Sequence, residues 1–507
     1  MSGAVAGTLA PHDEMNVAEI PSATGCNGCG AARAAEPAAM AQPVLADAQR
    51  LWAASPLSQR LTVLRKARHW MAAQVPLFAE AMAPELQRSQ ADTLVTELLP
   101  LLEAIRFLER SAGKILATRR LGRSGRPLWL TGVQAEVQRV PLGHVLVIGP
   151  ANFPLFLPGT QAIQALAAGN AVTWKPGAGG QRVALLIARA LREAGLPHGI
   201  FCVTDESVEA AQDALAQGPD KVVFTGSFES GRRVLETLAE TATPAVMELS
   251  GADAVVVLPS ADLALAAKAI AFGLRLNGAE VCMSPRRLIA TAETMRAMRP
   301  LLDAELASIN PIPLKLRTAA LLGELIAEAV GQGARVRGAI DASAQRPLLL
   351  EGVTIQMRIA QSDVFAPVLA MIEAPSVMEI AELVNACPYA LTAAVFGREP
   401  EARAVGEQLR VGTVLVNDLI APTADPRVPF GGRGKSGFGA TRGAEGLLEM
   451  TAVKTLLVRR KGLAQHYKAV GAREVPLFTG LIGAMHGGSL RERFRSVRML
   501  IAAGRQR

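Results

Sequence analysis

The segment HVLVIGPANFPLFLPGTQAIQALAAGNAVTWKP, residues 144–176, decides the fold class of this chain. It opens with a β-branched run at 144–149, closes with another at 171–175, and has helical spacing at 161–168 between them. A strand, a helix and a strand in this order form a βαβ unit, in which a helix connects two parallel strands. The segment therefore predicts an α/β protein with a parallel sheet.

The alternation continues towards the carboxyl terminus. Further strands are predicted at 201–204, 221–224 and 244–249, and further helices at 181–194, 207–216 and 231–240. Short strands that alternate with helices build a parallel sheet covered on both faces. A second α/β stretch runs from residue 252 to about 450, and residues 45–116 have the three-to-four apolar spacing of helices.

The composition is that of a globular protein. The 507 residues are 50% hydrophobic and 19% charged, which suits two or three domains and excludes a disordered or collagen-like chain. Five cysteines without a regular framework fit a reducing compartment. Prolines interrupt the most apolar stretch, 144–159, so no membrane-spanning helix is expected. Because we also identify no signal peptide, we expect a cytoplasmic protein.

The net charge of +8 belongs to one end of the chain. Residues 459–507 hold 11 Lys and Arg against two Glu, whereas the remainder is close to neutral. Within this tail, a predicted helix carries on one face Leu490, Phe494, Val497 and Ile501. Two interpretations are open: peripheral contact with an anionic membrane, at its inner face, or a helix that packs on an oligomer or is loosely ordered. Nucleic-acid binding is not expected, because the tail has few aromatic residues for stacking.

Residues 1–43, rich in Ala, Gly and Pro, have the composition of a flexible leader. This leader contains Cys26 and Cys29 in the spacing CxxC. The two are a redox pair, half of a metal site, or two thiols of a mobile segment. Because zinc needs about four ligands and the sequence has no second pair, no metal site is expected.

Two residues are candidates for acid–base or nucleophilic chemistry. Cys282 is followed closely by Arg286 and Arg287, and nearby cations favour a reactive thiolate. Glu248 ends a predicted strand and precedes a Ser-Gly turn, at the sheet edge where ligand sites gather. A buried glutamate with a raised pKa acts as a general base on water. Taken singly, each residue has another interpretation: a small buried cysteine, and a carboxylate hydrogen-bonded to its turn.

Two strand ends are candidates for a dinucleotide site. The turn FTGSFESG, residues 224–231, leads from a strand into a helix, where backbone N–H groups can meet a pyrophosphate. It lacks the GxGxxG pattern, so by itself it is weak evidence. Lys175 ends another strand. It either places an ammonium group near a cofactor ribose or is a solvated lysine at the end of the strand.

Together these pieces resemble the aldehyde dehydrogenase superfamily across residues 45–458. The resemblance rests on motifs in a fixed order: GPANFP at 149–154, AAGNAVTWKP at 167–176, FTGS at 224–227, ELSG at 248–251, Cys282 with Arg287 five residues later, VFAPV at 364–368, PFGG at 429–432 and SGFG at 436–439. Such an ordered set is far more specific than any single motif.

The resemblance implies a mechanism. Cys282 attacks the aldehyde to give a thiohemiacetal, whose oxyanion is stabilised by the Asn152 amide and the Cys282 backbone N–H. Hydride transfer to NAD or NADP leaves a thioester, and Glu248 activates the water that releases the carboxylic acid. The residues implied for cofactor binding are Lys175 at the adenosine ribose, Gly226, Ser227 and Gly231 near the pyrophosphate, and Asp363 and Phe365 at the nicotinamide end.

The chain departs from the family pattern near these residues. Ala279 and Glu280 replace the usual Gly-Gln before the nucleophile, and a carboxylate there raises the thiol pKa unless a cation such as Arg286 pairs with it. Asp363 replaces the glutamate at the nicotinamide ribose. Ala178 stands where NAD-preferring members often carry a glutamate, which makes NADP plausible.

The family fold implies a Rossmann-like cofactor domain, an α/β catalytic domain and a small β oligomerisation element. The expected boundaries are 44–130 and 143–249 for the cofactor domain, 250–450 for the catalytic domain, 131–142 and 451–460 for the oligomerisation element, and 461–507 for the basic tail. A homodimer or homotetramer is expected, with a β-hairpin near 130–139.

Two alternatives to acid formation are open, and the presence of Glu248 weighs against the first. One is a CoA-acylating aldehyde dehydrogenase, which resolves its thioester with a thiol and commonly lacks this base. The other is a catalytically weak family member that acts as a binding or scaffold protein, given Ala279, Glu280 and Asp363. The aldehyde is not specified, although the tail gives a weak preference for a medium or long aliphatic one.

Overall fold

A computed structural model describes residues 42–82, 88–341, 343–460, 467 and 469–505. The leader predicted at 1–43, with Cys26 and Cys29, lies outside these residues except for positions 42 and 43, which begin the first helix. The described N-terminal part is helical, as predicted. Its helices are Gln42–Ala54, Leu57–Ala73, Val75–Ala81 and Gln90–Thr93, followed by a π-helical turn at Leu94–Leu98 and the helix Leu99–Ile115.

A six-stranded sheet contains the segment that predicted the fold. Its strands, in spatial order, are Gly437–Phe438, Ala245–Leu249, Lys221–Gly226, His144–Ile148, Ala171–Lys175 and Phe201–Val203. Pairing is parallel except at the first, antiparallel pair. The covering helices are Phe156–Ala168, Gln181–Glu193, Val208–Ala216 and Phe228–Ala239. Apolar residues are buried on both faces of the sheet, as expected for a βαβ layer.

The first covering helix begins at Phe156, five residues before the predicted start. Pro158 lies within its first turn, where a backbone N–H has no partner within the helix in any case. Proline is therefore compatible with this earlier start.

A seven-stranded sheet forms the second layered unit. Its strands, in spatial order, are Arg335–Arg337, Leu348–Glu351, Val368–Ala374, Pro285–Thr291, Asp253–Val257, Thr392–Phe396 and Thr413–Val416, with the first pair antiparallel and the others parallel. Its helices include Leu263–Arg275, Ala292–Ala307, Leu316–Gly331, Ile380–Asn385 and Glu399–Gly406. The α/β fold class with two largely parallel sheets is confirmed.

A small antiparallel sheet joins the two segments expected to form the oligomerisation element. The strand Val133–Pro141 pairs with Arg119–Leu121 on one side and with Thr451–Arg459 on the other. The hairpin expected near 130–139 corresponds to the antiparallel pair of Arg119–Leu121 and Val133–Pro141, and the longer, nine-residue partner of Val133–Pro141 comes from the far end of the chain. Thr451–Arg459 is the edge strand and exposes apolar side chains, among them Val453, Leu456, Leu457 and Val458.

The tail forms two helices, Val475–His486 and Leu490–Arg505, which pack on each other. Glycines permit the close approach: a Cβ at Gly480 would lie 2.8 Å from the Leu500 nitrogen, and one at Gly483 would lie 2.1 Å from the Ser496 hydroxyl. Among the described residues, no helix is both long and apolar enough to cross a bilayer. The predicted helix at 490–501 is confirmed.

Candidate active site

A cavity of about 400 Å³ lies between residues of the two large sheets. It is lined by seven of the nine residues that the sequence singled out: Asn152, Gly226, Ser227, Glu248, Cys282, Asp363 and Phe365. Lys175 lies at the carboxyl end of its own strand and Gly231 within the helix Phe228–Ala239, and neither lines the cavity. At Gly231 a Cβ would lie 2.6 Å from the Leu249 side chain, so this glycine packs a helix against the sheet.

The loop before Cys282 is conformationally unusual. Asn277, Gly278 and Ala279 have φ angles of 49°, 61° and 63°, three consecutive residues in the left-handed region. Asparagine and glycine tolerate this region, but alanine has a Cβ that costs roughly 1–2 kcal/mol there. A glycine at position 279 would therefore be less strained than alanine. Ala279 is buried and adopts the left-handed conformation all the same.

Side-chain amides hold this loop against the loop of Asn152. The Asn277 amide donates to the backbone oxygens of Asn152 at 3.0 Å and Glu280 at 3.1 Å. The Asn152 Nδ2 donates to the Glu280 oxygen at 2.8 Å. Because an amide carries two N–H donors, Asn152 retains a second one. The pair of loops therefore presents a cysteine and an amide donor in one cavity.

A buried ion pair that the sequence reasoning missed supports the Asn152 loop from behind. Arg88 donates to the Asn152 backbone oxygen at 3.0 Å and to Glu97 at 2.8 Å. The other Glu97 oxygen accepts the N–H groups of Leu155 and Phe156, at the start of the following helix. A charged residue inside the apolar helical run around 94–102 was the available signal.

Glu248 is buried, with 2% of its surface exposed. Its Oε2 accepts a hydrogen bond from the Thr441 hydroxyl at 3.3 Å, whereas Oε1 has no partner among the described residues. Burial raises the pKa of this carboxyl group, and the positive charge of Arg442 opposes that shift. An unpartnered carboxylate oxygen in a polar cavity is suited to accept a proton from water.

Arg442 is a second residue that the sequence reasoning missed. Its buried guanidinium lies 4.4 Å from the centre of the Phe430 ring and donates to the Thr423 backbone oxygen. Its charge lowers the pKa of Cys282, opposing burial and the carboxylates of Glu248, Asp253 and Asp363, which together raise that pKa well above its usual range. Its position three residues after the SGFG motif was the available signal.

The two arginines that follow Cys282 in the sequence are both bound by backbone oxygens. Arg286 donates to the backbone oxygens of Ala279 at 2.8 Å and Ala366 at 2.7 Å, and Arg287 donates to that of Ala252 at 2.8 Å. The charge of Arg286 still interacts with Cys282, and Arg442 supplies a further positive charge that lowers the thiol pKa. Successive side chains of a strand point to opposite faces, which sends the two arginines apart.

Glu280 pairs with a different cation from the one expected. Its carboxylate lies 2.7 Å from Lys315 rather than against Arg286. Both residues of this ion pair line the cavity. They are 35 positions apart in the chain, so the contact was not visible in the sequence. The negative charge introduced before Cys282 is thus compensated locally.

A family model described as "Aldehyde dehydrogenase family" matches residues 6–456. The chain belongs to the aldehyde dehydrogenase family. This aldehyde dehydrogenase oxidises an aldehyde to its carboxylic acid with NAD or NADP, through a cysteine thiohemiacetal and a thioester.

Curated relatives cover most of the enzyme. A 4,4'-diapolycopene aldehyde oxidase of Methylomonas sp is 27% identical over 474 residues, which are 90% of this chain and 88% of the relative. A vanillin dehydrogenase of Corynebacterium glutamicum is 30% identical over 482 residues, 90% of this chain and 95% of the relative. Among solved structures, an aldehyde dehydrogenase of Mycobacterium tuberculosis complexed with NAD+ has a TM-score of 0.73 at 26% identity, covering 81% of this chain and 88% of that one.

The residues of this aldehyde dehydrogenase fit a nicotinamide dinucleotide. The N-terminus of the helix Phe228–Ala239 follows Gly226 and Ser227 at the cavity wall, where backbone N–H groups suit a pyrophosphate. Ser227 also caps this helix by accepting the N–H of Ser230. Asp363 also lines the cavity, and its buried Oδ1 has no hydrogen-bond partner in the part of the chain that the structure describes; burial raises the pKa of this carboxyl group to about 6.

Proposed function

We propose that Cys282, Asn152 and Glu248 carry the oxidation of the aldehyde in this enzyme. The observation that supports this is their convergence on one cavity from separate loops and strands. The Cys282 sulfur forms a bond to the aldehyde carbon, and the carbonyl oxygen becomes an oxyanion. The free Asn152 N–H and the Cys282 backbone N–H stabilise this oxyanion, a contribution of about 3–4 kcal/mol for each donor.

The second half of the reaction depends on Glu248. The bound nicotinamide supplies the acceptor for the hydride that leaves the former aldehyde carbon. Glu248 takes a proton from water through its unpartnered Oε1, and the water oxygen forms a bond to the thioester carbon. The bond between carbon and sulfur then breaks, which releases the carboxylic acid and the Cys282 thiolate.

The same proposal assigns the cofactor residues. Lys175 binds the adenosine ribose, Gly226 and Ser227 lie at the pyrophosphate, and Asp363 and Phe365 lie at the nicotinamide end. Gly231 supports this turn through the close packing of its helix on Leu249. The Phe365 ring lies 5.9 Å from the Arg286 guanidinium, which fixes one edge of the nicotinamide end.

The geometry favours acid formation over CoA acylation and over a scaffold role. The base is present, buried and unpartnered on one oxygen. The departures at Ala279 and Glu280 leave the loop intact, since Ala279 adopts the left-handed turn and Lys315 compensates Glu280. These features are those of a working hydrolytic site.

Enzyme assays test this function directly. We expect purified protein to reduce the nicotinamide cofactor with an aldehyde at the same rate with and without CoA, and to release the free acid. Reduced nicotinamide is followed by absorbance and the acid by chromatography, over short aliphatic, long aliphatic and aromatic aldehydes. Turnover that requires CoA and yields an acyl-CoA would identify the CoA-acylating reaction instead, and cofactor binding without turnover would identify the scaffold role.

We propose further that the tail places the enzyme on an anionic membrane and that its aldehyde is a long apolar one. The helix Val475–His486 has no charged residue before its final histidine, and Val475, Phe478 and Ile482 lie exposed on one face. On the partner helix Leu490 and Phe494 are exposed by 74% and 70%. A short apolar helix beside a basic amphipathic one suits the interface of a bilayer. A relative named for a long polyene aldehyde supports the choice of substrate.

Vesicle sedimentation tests the membrane contact. We expect the protein to sediment with vesicles that contain phosphatidylglycerol and to remain in solution with pure phosphatidylcholine, because the tail is basic. Phe494→Ser with Ile501→Ser should lower binding about tenfold or more, since each removes exposed apolar surface. Met378→Ser, at an exposed methionine elsewhere, is the matched control. Unchanged sedimentation together with a smaller oligomer would assign the tail to a subunit contact.

We also propose a homodimer or homotetramer built on the strand Thr451–Arg459. Its unpaired edge is nine residues long and apolar in its exposed side chains. Natural proteins rarely leave such an edge uncovered, because it pairs with any available strand. A second copy of the chain supplies the matching edge.

A further inference from the structure

The loop that follows Lys175 contains no acidic residue, but a carboxylate from another loop is bound to it. Ala178 is exposed and contributes no charge. Glu206, from the loop after the next strand, accepts the N–H of Gly179 at 2.8 Å with one oxygen and the N–H of Gln181 at 2.6 Å with the other. The Glu206 carboxylate therefore covers the N-terminus of the 13-residue helix Gln181–Glu193.

A buried ammonium group lies close to this carboxylate. Lys175 is 8% exposed, and no hydrogen bond or ion pair joins its Nζ to any of the described residues. Burial lowers the pKa of Lys175, while the negative charges of Glu206 and Asp205 raise it. The lysine and the two carboxylates are therefore near enough to interact electrostatically, although no ion pair joins them.

The Lys175 ammonium group and the Glu206 carboxylate together suit a ribose with free hydroxyl groups. A carboxylate has about four acceptor positions, so each Glu206 oxygen retains one after accepting its backbone N–H. Two neighbouring hydroxyls donate to such oxygens, and the ammonium group donates to a hydroxyl oxygen. A phosphate in the same place would meet the negative charge of Glu206. It would also find the N–H groups of Gly179 and Gln181, at the N-terminus of the helix, already occupied by Glu206.

We propose that Glu206 takes over the ribose-binding function of the carboxylate missing at Ala178 and makes this enzyme select NAD over NADP. The inference rests on the proposed placement of the adenosine ribose at Lys175. It reverses the sequence-based expectation from Ala178, because the selecting charge comes from a different loop, 28 residues further along the chain.

Calorimetric binding of NAD+ and NADP+ to the protein without aldehyde tests this proposal. We expect the wild type to bind NAD+ at least about tenfold more tightly, since two negative groups at close range repel each other in a partly buried site. Glu206→Gln should remove most of this preference, chiefly by strengthening NADP+ binding. Asp205→Asn is the matched control: Asp205 also faces Lys175, but its carboxylate accepts the N–H of Ser207. We expect this variant to keep the preference.

Three outcomes distinguish a failure of the role proposed for Glu206 from a failure of the proposed ribose placement at Lys175. A wild type that binds NADP+ as tightly as NAD+ overturns the inference. So does a Glu206→Gln variant that loses affinity for both cofactors equally and melts at a lower temperature, because Glu206 then only caps its helix. Lys175→Met identifies the other failure: if it leaves both affinities unchanged, the ribose does not bind at Lys175, and the proposed cofactor placement is wrong.

Discussion

Replacement of Cys282 by alanine is expected to lower kcat for aldehyde oxidation by about 10⁴-fold or more, as loss of a covalent nucleophile generally does. The cavity offers no substitute, because the other described cysteines, Cys202 and Cys387, do not line it. Alanine removes the sulfur that forms the thiohemiacetal but leaves the backbone N–H that faces the oxyanion. The measurement is the rate of nicotinamide reduction, with the dinucleotide Kd determined in parallel.

The matched control for this experiment is Cys387→Ala. Cys387 is a buried free thiol that does not line the cavity, so its replacement removes a sulfur outside the site. We expect the kcat of this variant to stay within a few-fold of the wild type, because the cavity lining is unchanged. Activity of the Cys282 variant within tenfold of the wild type, with unchanged cofactor binding, would show that another residue is the nucleophile.

Glu248→Gln is expected to separate the two halves of the reaction. Without a base on water, steady-state turnover should fall by about 10²–10⁴-fold. Nicotinamide reduction should still occur once for each active site, because thioester formation precedes the hydrolytic step. A rapid burst followed by a slow rate in stopped flow is therefore the expected signature, together with a trapped acyl enzyme in the mass spectrum. A variant that lacks both burst and acyl enzyme would mean that Glu248 also serves the thiol.

The pH dependence of hydrolysis follows from the same carboxylate. Burial raises the pKa of Glu248, so its basic form is lost on acidification at a higher pH than for an exposed glutamate. We expect the wild-type rate to decline on the acid side from above the ordinary glutamate range, and the residual rate of Glu248→Gln to lack that decline. Thr441→Val removes the hydroxyl that donates to Oε2 and should shift the acid limb further upwards.

The fold class was predictable from the sequence. The βαβ pattern at 144–176 and the ordered motifs predicted the layered fold, because they depend on local periodicity, which is visible along the chain. The candidates Asn152, Glu248 and Cys282 line one cavity, and their catalytic roles stay a prediction.

The supporting contacts were not predictable in the same way. Arg286 is four residues from Cys282, yet its strand directs it to backbone oxygens, while Arg442 reaches the site from 160 positions further along. Likewise Lys315 and Glu206 act across loops that only the folded chain brings together. Proximity in sequence did not predict which charged groups lie near one another, because the direction of a side chain depends on the strand or turn that carries it.

The hydrogen bonds that hold the Asn152 loop also bear on how the enzyme folds. They join Leu155 to Glu97 across 58 positions and Asn152 to Glu280 across 128, and the Glu248 contact with Thr441 spans 193. Closing such long loops costs chain entropy before any contact repays it, which slows their formation relative to that of local helices. We therefore expect the cavity to form late in folding, so that a chain with its helices formed but these long-range contacts missing has neither an oriented Asn152 amide nor a buried Glu248.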